Sequence, residues 1–358
     1  MTFHIRPYFP TVISLFILTA LSASIVFADT SRTPVNDRMT WPEGTPRSDA
    51  AVDLGRHLFF DPRLVLSEDQ SCASCHSPHA AFADSVARDL TAHKDWGRAK
   101  RNSPTIYNLT DAPVVHWDGR TPAGQCFTPE DTNTEVCLEP LESQAFKSMR
   151  SRKIYDGFLP KVKAEPAYQD MFKQAFPPNG EVTHLNMALA IAAFERSLVS
   201  NDSAYDRYIA GDPTALSVEA RRGFEIYEGK GNCAACHNGP NLTDWQFHNI
   251  GVDSDDEGRS AKIEDEDKKA EFRGAFKTPG LRNVALTAPY MHDGSIGTLE
   301  KVVEFYDRGG DRHDNLSPLI EPLNLTDREK WDLIAFLNAL THTVGIEPPS
   351  IPGIAEIH

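Results

Sequence analysis

Apolar positions in this chain recur mostly at helical spacing, and polar capping residues mark where several helices begin. Ser48 precedes DAAVDLGRHLFF (Asp49 to Phe60), and Ser217 precedes VEARRGFEIY (Val218 to Tyr227). Each segment predicts a short amphipathic helix with a glycine inside it and an aromatic end, one face turned to a core. Serine suits the N-cap because its side-chain oxygen accepts from a backbone N–H of the first turn. Thr183 caps a longer helix running to Ser200, with Leu185, Leu189, Ala192 and Phe194 on roughly one side. Thr298 starts another over Leu299 to Tyr306. The string TDRE (Thr326 to Glu329) is a capping-box pattern opening an apolar-faced helix from Trp331 to Leu340. Strand-like alternation is scarce, and 25 prolines and 22 glycines crowd the connections. The pattern predicts a mainly α fold with long loops and a boundary near AGDPTAL (Ala210 to Leu216).

A different apolar pattern opens the chain. Arg6 leads into the run Val12 to Phe27, which ends in Val26, Phe27 and Ala28 just before Asp29. This is the layout of a cleavable signal peptide, residues 1–28, with an uncleaved membrane anchor as the alternative. The destination it implies is a bacterial periplasm. Formal charge is −15, and loss of Arg6 with the leader takes the mature chain to about −16. Acidity of that size argues against nucleic-acid partners. A solvated acidic surface is its usual meaning, with steering of a basic donor protein as the other. The run Asp253 to Lys269, dense in Asp, Glu and Lys, reads as an exposed loop. At 358 residues there is chain enough for two domains.

The six cysteines carry the chemistry. Four fall in two copies of one string, CASCH (Cys72 to His76) and CAACH (Cys233 to His237), each shortly after one of the Ser-capped helices. A C-x-x-C pair alone is also compatible with half a zinc site or a thiol–disulfide couple. With His directly following, and twice over in an exported chain, C-x-x-C-H is the attachment signature of haem c. The thiols add across the porphyrin vinyl groups and the His becomes the proximal iron ligand. Cys72, Cys75 and His76 therefore bind one haem, and Cys233, Cys236 and His237 a second. Cys126 and Cys137 lie close together in a polar segment, where an oxidising compartment favours a structural disulfide.

Beyond these motifs, LGRHLFFDPRL (Leu54 to Leu64), RNSPTIYN (Arg101 to Asn108), HWDGR (His116 to Arg120) and FKTPGLRNVALTAPYMHDGS (Phe276 to Ser295) resemble the bacterial di-haem cytochrome c peroxidase family, including its MauG branch. The blocks follow the family's order over most of residues 48–345. The resemblance implies two cytochrome-c-like haem domains packed face to face across a calcium-containing interface. Residues 29–47 are then an N-terminal extension, 48–210 the peroxidatic N-terminal haem domain, 211–345 the electron-transfer C-terminal haem domain, and 346–358 a tail.

The resemblance also implies roles for single residues. His76 holds the peroxide-reacting haem and His237 the electron-transfer haem. Tyr306 stands where peroxidases taking electrons from small cytochromes have a Met and MauG-like proteins have a Tyr. It is the implied sixth ligand of the second haem; as a plain residue it is a half-buried aromatic on an amphipathic helix. A phenolate favours ferric and higher oxidation states relative to a thioether. Met291 is a rival by chemistry but matches a variable core position. His93 lies near the place of a distal His in classical-type members, or is an exposed loop His, and His79 is a weaker rival. The family's acid–base Glu comes shortly after WDGR, usually near a Glu-Met pair that is absent here. Glu142 and Gln144 are the nearest candidates, and Glu142 is preferred. Trp117 matches the Trp between the haems, as electron relay, interface residue or both. Asn102 with the backbone carbonyls of Thr287 and Pro289 matches the calcium ligands.

The leading expectation is a periplasmic di-haem peroxidase reducing hydrogen peroxide to water with electrons from a small periplasmic protein. Tyr306 supports an alternative, a MauG-like enzyme oxidising residues of a partner protein through a high-valent haem state. A non-catalytic di-haem electron carrier is the third. A homodimer is open at the family level.

Overall fold

The computed structural model describes residues 41–42, 44–64, 70–84, 101–129, 134–150, 157–252 and 255–354. The leader at 1–28, its apolar run and His93 lie outside the described residues. Among the described residues no helix is long and apolar enough to cross a membrane.

Helices α1 (Asp49–Phe60), α2 (Pro140–Met149), α3 (Phe158–Ala164), α4 (Pro166–Ala175) and α5 (His184–Ser197) build the first unit. Helices α6 (Ala204–Ile209), α7 (Val218–Glu228), α8 (Glu266–Glu271), α9 (Leu299–Asp307) and α10 (Asp327–Asn338) belong to the second. Three two-stranded antiparallel ribbons complete the described elements: β1 (Val114–Val115) with β2 (Thr121–Pro122), β3 (Gln125–Phe127) with β4 (Val136–Leu138), and β5 (Phe247–His248) with β6 (Phe276–Lys277). The expected caps form: Ser48, Thr183, Ser217, Thr298 and Thr326 each accept from the first turn, and Thr326 with Glu329 closes a reciprocal capping box. The expected disulfide also forms, Cys126 lying opposite Cys137 across β3 and β4.

The two halves repeat one packing device. Helix α1 crosses α5, and α7 crosses α10. A Cβ on Gly55 would fall inside contact distance of the Ala190 carbonyl and reach Phe194; one on Gly223 would meet the Asp332 carbonyl and Phe336 in the same way. Only glycine permits this approach of helix to backbone. An aromatic four residues beyond each glycine then meets the aromatic of the crossing helix: Phe59 lies 5.2 Å from Phe194, and Tyr227 lies 5.0 Å from Phe336. Each fully buried aromatic or aliphatic side chain contributes roughly 1.5–3 kcal/mol. Two cores result, one around Phe59, Phe82, Phe146, Phe172 and Phe194, the other around Tyr205, Phe224, Tyr227, Phe336 and Leu340.

Several details depart from the sequence reading. Helix α5 is buried on every side from Met187 to Arg196, not along one face. Tyr205 on α6, ahead of the expected boundary near residue 210, packs in the second core. The acidic run from Asp253 is not simply an exposed loop. Asp256 receives Arg101 at 2.6 and 2.8 Å, and Arg259 donates to the carbonyls of Asp118 and Gly119, so this stretch clasps the first unit. The expected tail is anchored too. The Tyr107 hydroxyl meets the Val344 carbonyl and amide, Arg56 donates to the Glu347 carbonyl and Arg63 to the Pro352 carbonyl. Ile346 and Ile351 pack on the first core.

Candidate haem-binding active site

Each C-x-x-C-H string forms a tight 3₁₀ turn, Cys72–Ser74 and Cys233–Ala235, that carries its histidine on the same loop. The backbone N–H of His76 donates to the Cys72 carbonyl at 3.0 Å, and that of His237 to Cys233 at 2.9 Å. Both imidazoles are oriented alike. His76 Nδ1 lies 3.0 Å from the Phe82 carbonyl and His237 Nδ1 lies 3.1 Å from the Leu242 carbonyl. With Nδ1–H donating, the lone pair is left on Nε2, the arrangement that fixes an imidazole as a metal ligand. Tyr227 also donates to the His237 carbonyl, tying the loop to α7.

The second motif opens on a cavity of about 1400 Å³ including its mouth, with mostly apolar walls. Cys233, Cys236 and His237 are at one side; Tyr306 from α9, Met291, and Leu333 and Leu337 from α10 also line it. Two thiols on a 3₁₀ turn, an imidazole anchored through Nδ1 and an apolar slot of this size fit a covalently attached haem c. The first motif has the same turn and imidazole anchoring. The structure thus brings Tyr306 and the rival Met291 into one cavity with His237. Burial, and after it the neighbouring Cys233 and Cys236, push the Tyr306 phenol up. Cys236, Asp244 and His248 converge within 4.8 Å. Asp244 accepts from His248 at 2.8 Å and, with Cys236, raises that imidazole to about 10. Haem attachment converts the Cys236 thiol to a thioether, so this cluster belongs to the haem site.

A second cavity, about 580 Å³, lies between the units and is lined by Tyr107, His116, Trp117, Trp245, Lys277 and Arg282. Trp117 and Lys277 line both cavities. The Trp117 ring is pinned from two directions. Its Nε1 donates to the Asn102 carbonyl at 2.8 Å, and its own carbonyl receives the Lys277 amide at 2.8 Å. The following Asp118 is 2% exposed. Burial alone would raise its carboxyl, but Arg101 at 2.7 Å and Arg120 hold it below the usual range. The preceding His116 is driven the other way, down to about 3, by burial and then by Arg120.

The remaining expected residues fall as follows. The Asn102 amide reaches the Pro289 carbonyl at 2.7 Å, while the Thr287 hydroxyl donates to Val284. Amide orientation is assigned from hydrogen bonding; turned over, Asn102 would set two oxygens face to face, an arrangement that a hard cation stabilises. Glu142 is 1% exposed, and its oxygens accept from Arg196 at 2.8 and 2.9 Å and from Thr45 at 3.0 Å. Both of its oxygens are thus committed to Arg196 and Thr45. Gln144 donates along its own helix to Ser148, and His79 is exposed on a 3₁₀ turn.

Two buried ionisable groups had no signature in the sequence. Lys277, buried in β6, has Nζ 4.9 Å above the Trp245 ring and is pushed down to about 8 by desolvation. Glu195 on α5 is 5% exposed, and its Oε2 has no hydrogen-bond partner. Desolvation, then Glu142, raises its carboxyl to about 8. Glu195 stands in no quoted motif, and Lys277 stands in the Phe276 to Ser295 block without a role there; the burial of both arises from tertiary packing.

Residues 49–214 match the family profile described as "Di-haem cytochrome c peroxidase". The chain is 34% identical over 314 residues to the methylamine utilization protein MauG of Methylorubrum extorquens, covering 87% of this chain and 84% of that protein. It is 33% identical to the cytochrome c551 peroxidase of Pseudomonas aeruginosa, covering 90% and 88%. Among solved structures, a MauG-like protein associated with microbial copper homeostasis superposes with a TM-score of 0.69 at 30% identity, over 84% of this chain and 92% of that one.

Proposed function

This chain belongs to the di-haem cytochrome c peroxidase and MauG family of oxidoreductases, and on that premise we propose that it reduces hydrogen peroxide to water in the periplasm, using electrons from a small electron-transfer protein. The observation that carries the reading is Trp117, which lines both the cavity of the second haem motif and the cavity between the units. When bound, the haem at Cys72, Cys75 and His76 supplies an iron that exchanges two electrons with peroxide. The Phe82 carbonyl fixes the His76 imidazole through Nδ1, so that Nε2 would be the atom to bind that iron, and the Leu242 carbonyl fixes His237 in the same way. Trp117, fixed by Asn102 and Lys277, divides one long electron step into two shorter ones. A calcium ion held by Asn102 and the carbonyls of Thr287 and Pro289 would brace the same loop, because Asn102 also accepts from the Trp117 indole. Glu142 holds Arg196, and proton delivery through it requires release of that guanidinium.

A second reading, oxidation of residues on a partner protein, rests on Tyr306. It lines the His237 cavity, where a phenolate stabilises an oxidised iron better than a thioether does. One experiment separates the two. Haem-loaded protein receives stoichiometric peroxide before and after partial reduction, with spectra recorded throughout. Reaction only after one haem is reduced supports the peroxidase; rapid reaction of the fully ferric form supports the second reading. No reaction in either state overturns both.

A further inference from the structure

The repeated helix crossing gives an internal alignment of the two haem units. Gly55 meets the Ala190 carbonyl as Gly223 meets that of Asp332, and Phe194 corresponds to Phe336. One residue further along each crossing helix, Glu195 on α5 therefore corresponds to Leu337 on α10. Leu337 lines the second haem cavity. Where the second unit places a hydrocarbon at its haem cavity, the corresponding residue of the first unit is a carboxylic acid.

The surroundings of that carboxyl are dry and short of donors. Glu195 is 5% exposed and Oε2 is unpartnered. The adjacent Arg196 points its Nε and Nη2 at Glu142 and its Nη1 at the Thr110 carbonyl. The charged groups that act on Glu195 are Glu142 on α2, which opposes its ionisation, and Arg196 on α5, which favours it. On the haem side, Glu195 is the largest influence on the Cys72 thiol after burial itself. Cys72 loses its titrating proton when it becomes a thioether. An isolated ionised carboxylate in such a place is costly, so the group keeps its proton unless a positive charge develops nearby.

We propose that Glu195 is a proton-carrying acid beside the first haem, which releases its proton as that haem loses an electron and regains it on reduction. The step balances as one electron leaving the iron and one proton leaving the Glu195 carboxyl for solvent. The electron acceptor is peroxide in turnover, or an electrode in the test. The inference rests on the reading of Cys72, Cys75 and His76 as the attachment site of a redox-active haem. Its direction follows from linkage. The carboxyl is neutral below about pH 8 and anionic above it, and the anion stabilises the oxidised iron. The first haem's midpoint potential therefore falls as pH rises through that window.

The test uses haem-loaded protein, with the two potentials resolved by their spectra from about pH 6 to about pH 10. In the wild type the first haem's potential should fall with pH, most steeply below about pH 8, and level off above it. Glu195→Gln should flatten that dependence and leave the pH profile of the second haem unchanged. A flat wild-type profile, or a slope that survives in E195Q, overturns the proposal. Should E195Q fail to load haem, redox-difference infrared spectroscopy of the wild type decides. Loss of a protonated carboxyl band on oxidation supports Glu195, and its absence overturns it. Mass measurement separates the two layers: a chain carrying one haem overturns the attachment reading and this inference together. Two attached haems with a pH-independent first potential overturn Glu195 alone.

Discussion

Arg196→Met removes the guanidinium that faces both oxygens of Glu142 in the first core. The partners are 2% and 1% exposed, joined by two charge-assisted hydrogen bonds of 2.8 and 2.9 Å. After the change Glu142 retains, among the described residues, the Thr45 hydroxyl at 3.0 Å. Stranding one member of a buried pair costs about 3–5 kcal/mol, a large share of the roughly 5–15 kcal/mol that holds a domain folded. At about 2–4 °C per kcal/mol for a unit of this size, the melting point should drop by roughly 6–20 °C. Arg196→Met combined with Glu142→Leu leaves no buried charge at this pair and should recover most of the stability, giving a coupling of about 3 kcal/mol. Urea unfolding of the four proteins, followed by the haem absorption band, measures each term. A cost below about 1 kcal/mol for R196M, or equal costs for the single and double variants, would refute the assignment of this pair as a dry, mutually dependent unit.

Gly55→Ala and Gly223→Ala each gain about 1 kcal/mol of helix propensity but push a methyl group into a backbone carbonyl, an overpacking worth about 1–3 kcal/mol or more. Net destabilisation in both, measured by thermal unfolding, is the expected outcome, and stabilisation of either would sink the crossing geometry. Tyr306→Phe should change the spectrum of the low-spin haem; an unaltered spectrum rejects the phenol as a ligand. Lys277→Met should alter how stability varies with pH. Its ammonium titrates at about 8 in the fold against a usual 10.5, so between those values the unfolded chain holds the proton and wild-type stability rises with pH. The variant lacks that rise, worth about 3 kcal/mol at most. Parallel unfolding curves across this range would contradict the burial of Lys277.

What was legible in the sequence was local. Thr326 and Glu329 announce a capping box within four residues, and Cys, Cys and His announce a haem within five, because the chemistry is completed by neighbours in the chain. Helices α2 to α4 were not read. Each is short, opens behind Glu or Gly, and carries Lys among its apolar positions. Ion pairs such as Arg101 with Asp256, or Arg282 with Asp206 at 2.8 and 2.9 Å, join residues far apart in sequence, and nothing local signals them. Glu195 and Lys277 show the same limit: a charged letter reads as surface until the fold encloses it. Glu142 stood in the expected segment, yet its partner Arg196 decides what it can do.

The segment beyond α10 has a bearing on how the protein is made. Val344, Ile346, Glu347, Ile351 and Pro352 complete the surface of the unit that begins at Asp49. Chains are synthesised from the amino end, and domains generally fold as units in that order. The first haem unit cannot do so here, because the residues that complete it follow the whole second unit in the chain. Until that segment arrives, one flank of the core beside the Cys72 turn is uncovered. The unit that is first in sequence is the last to be finished.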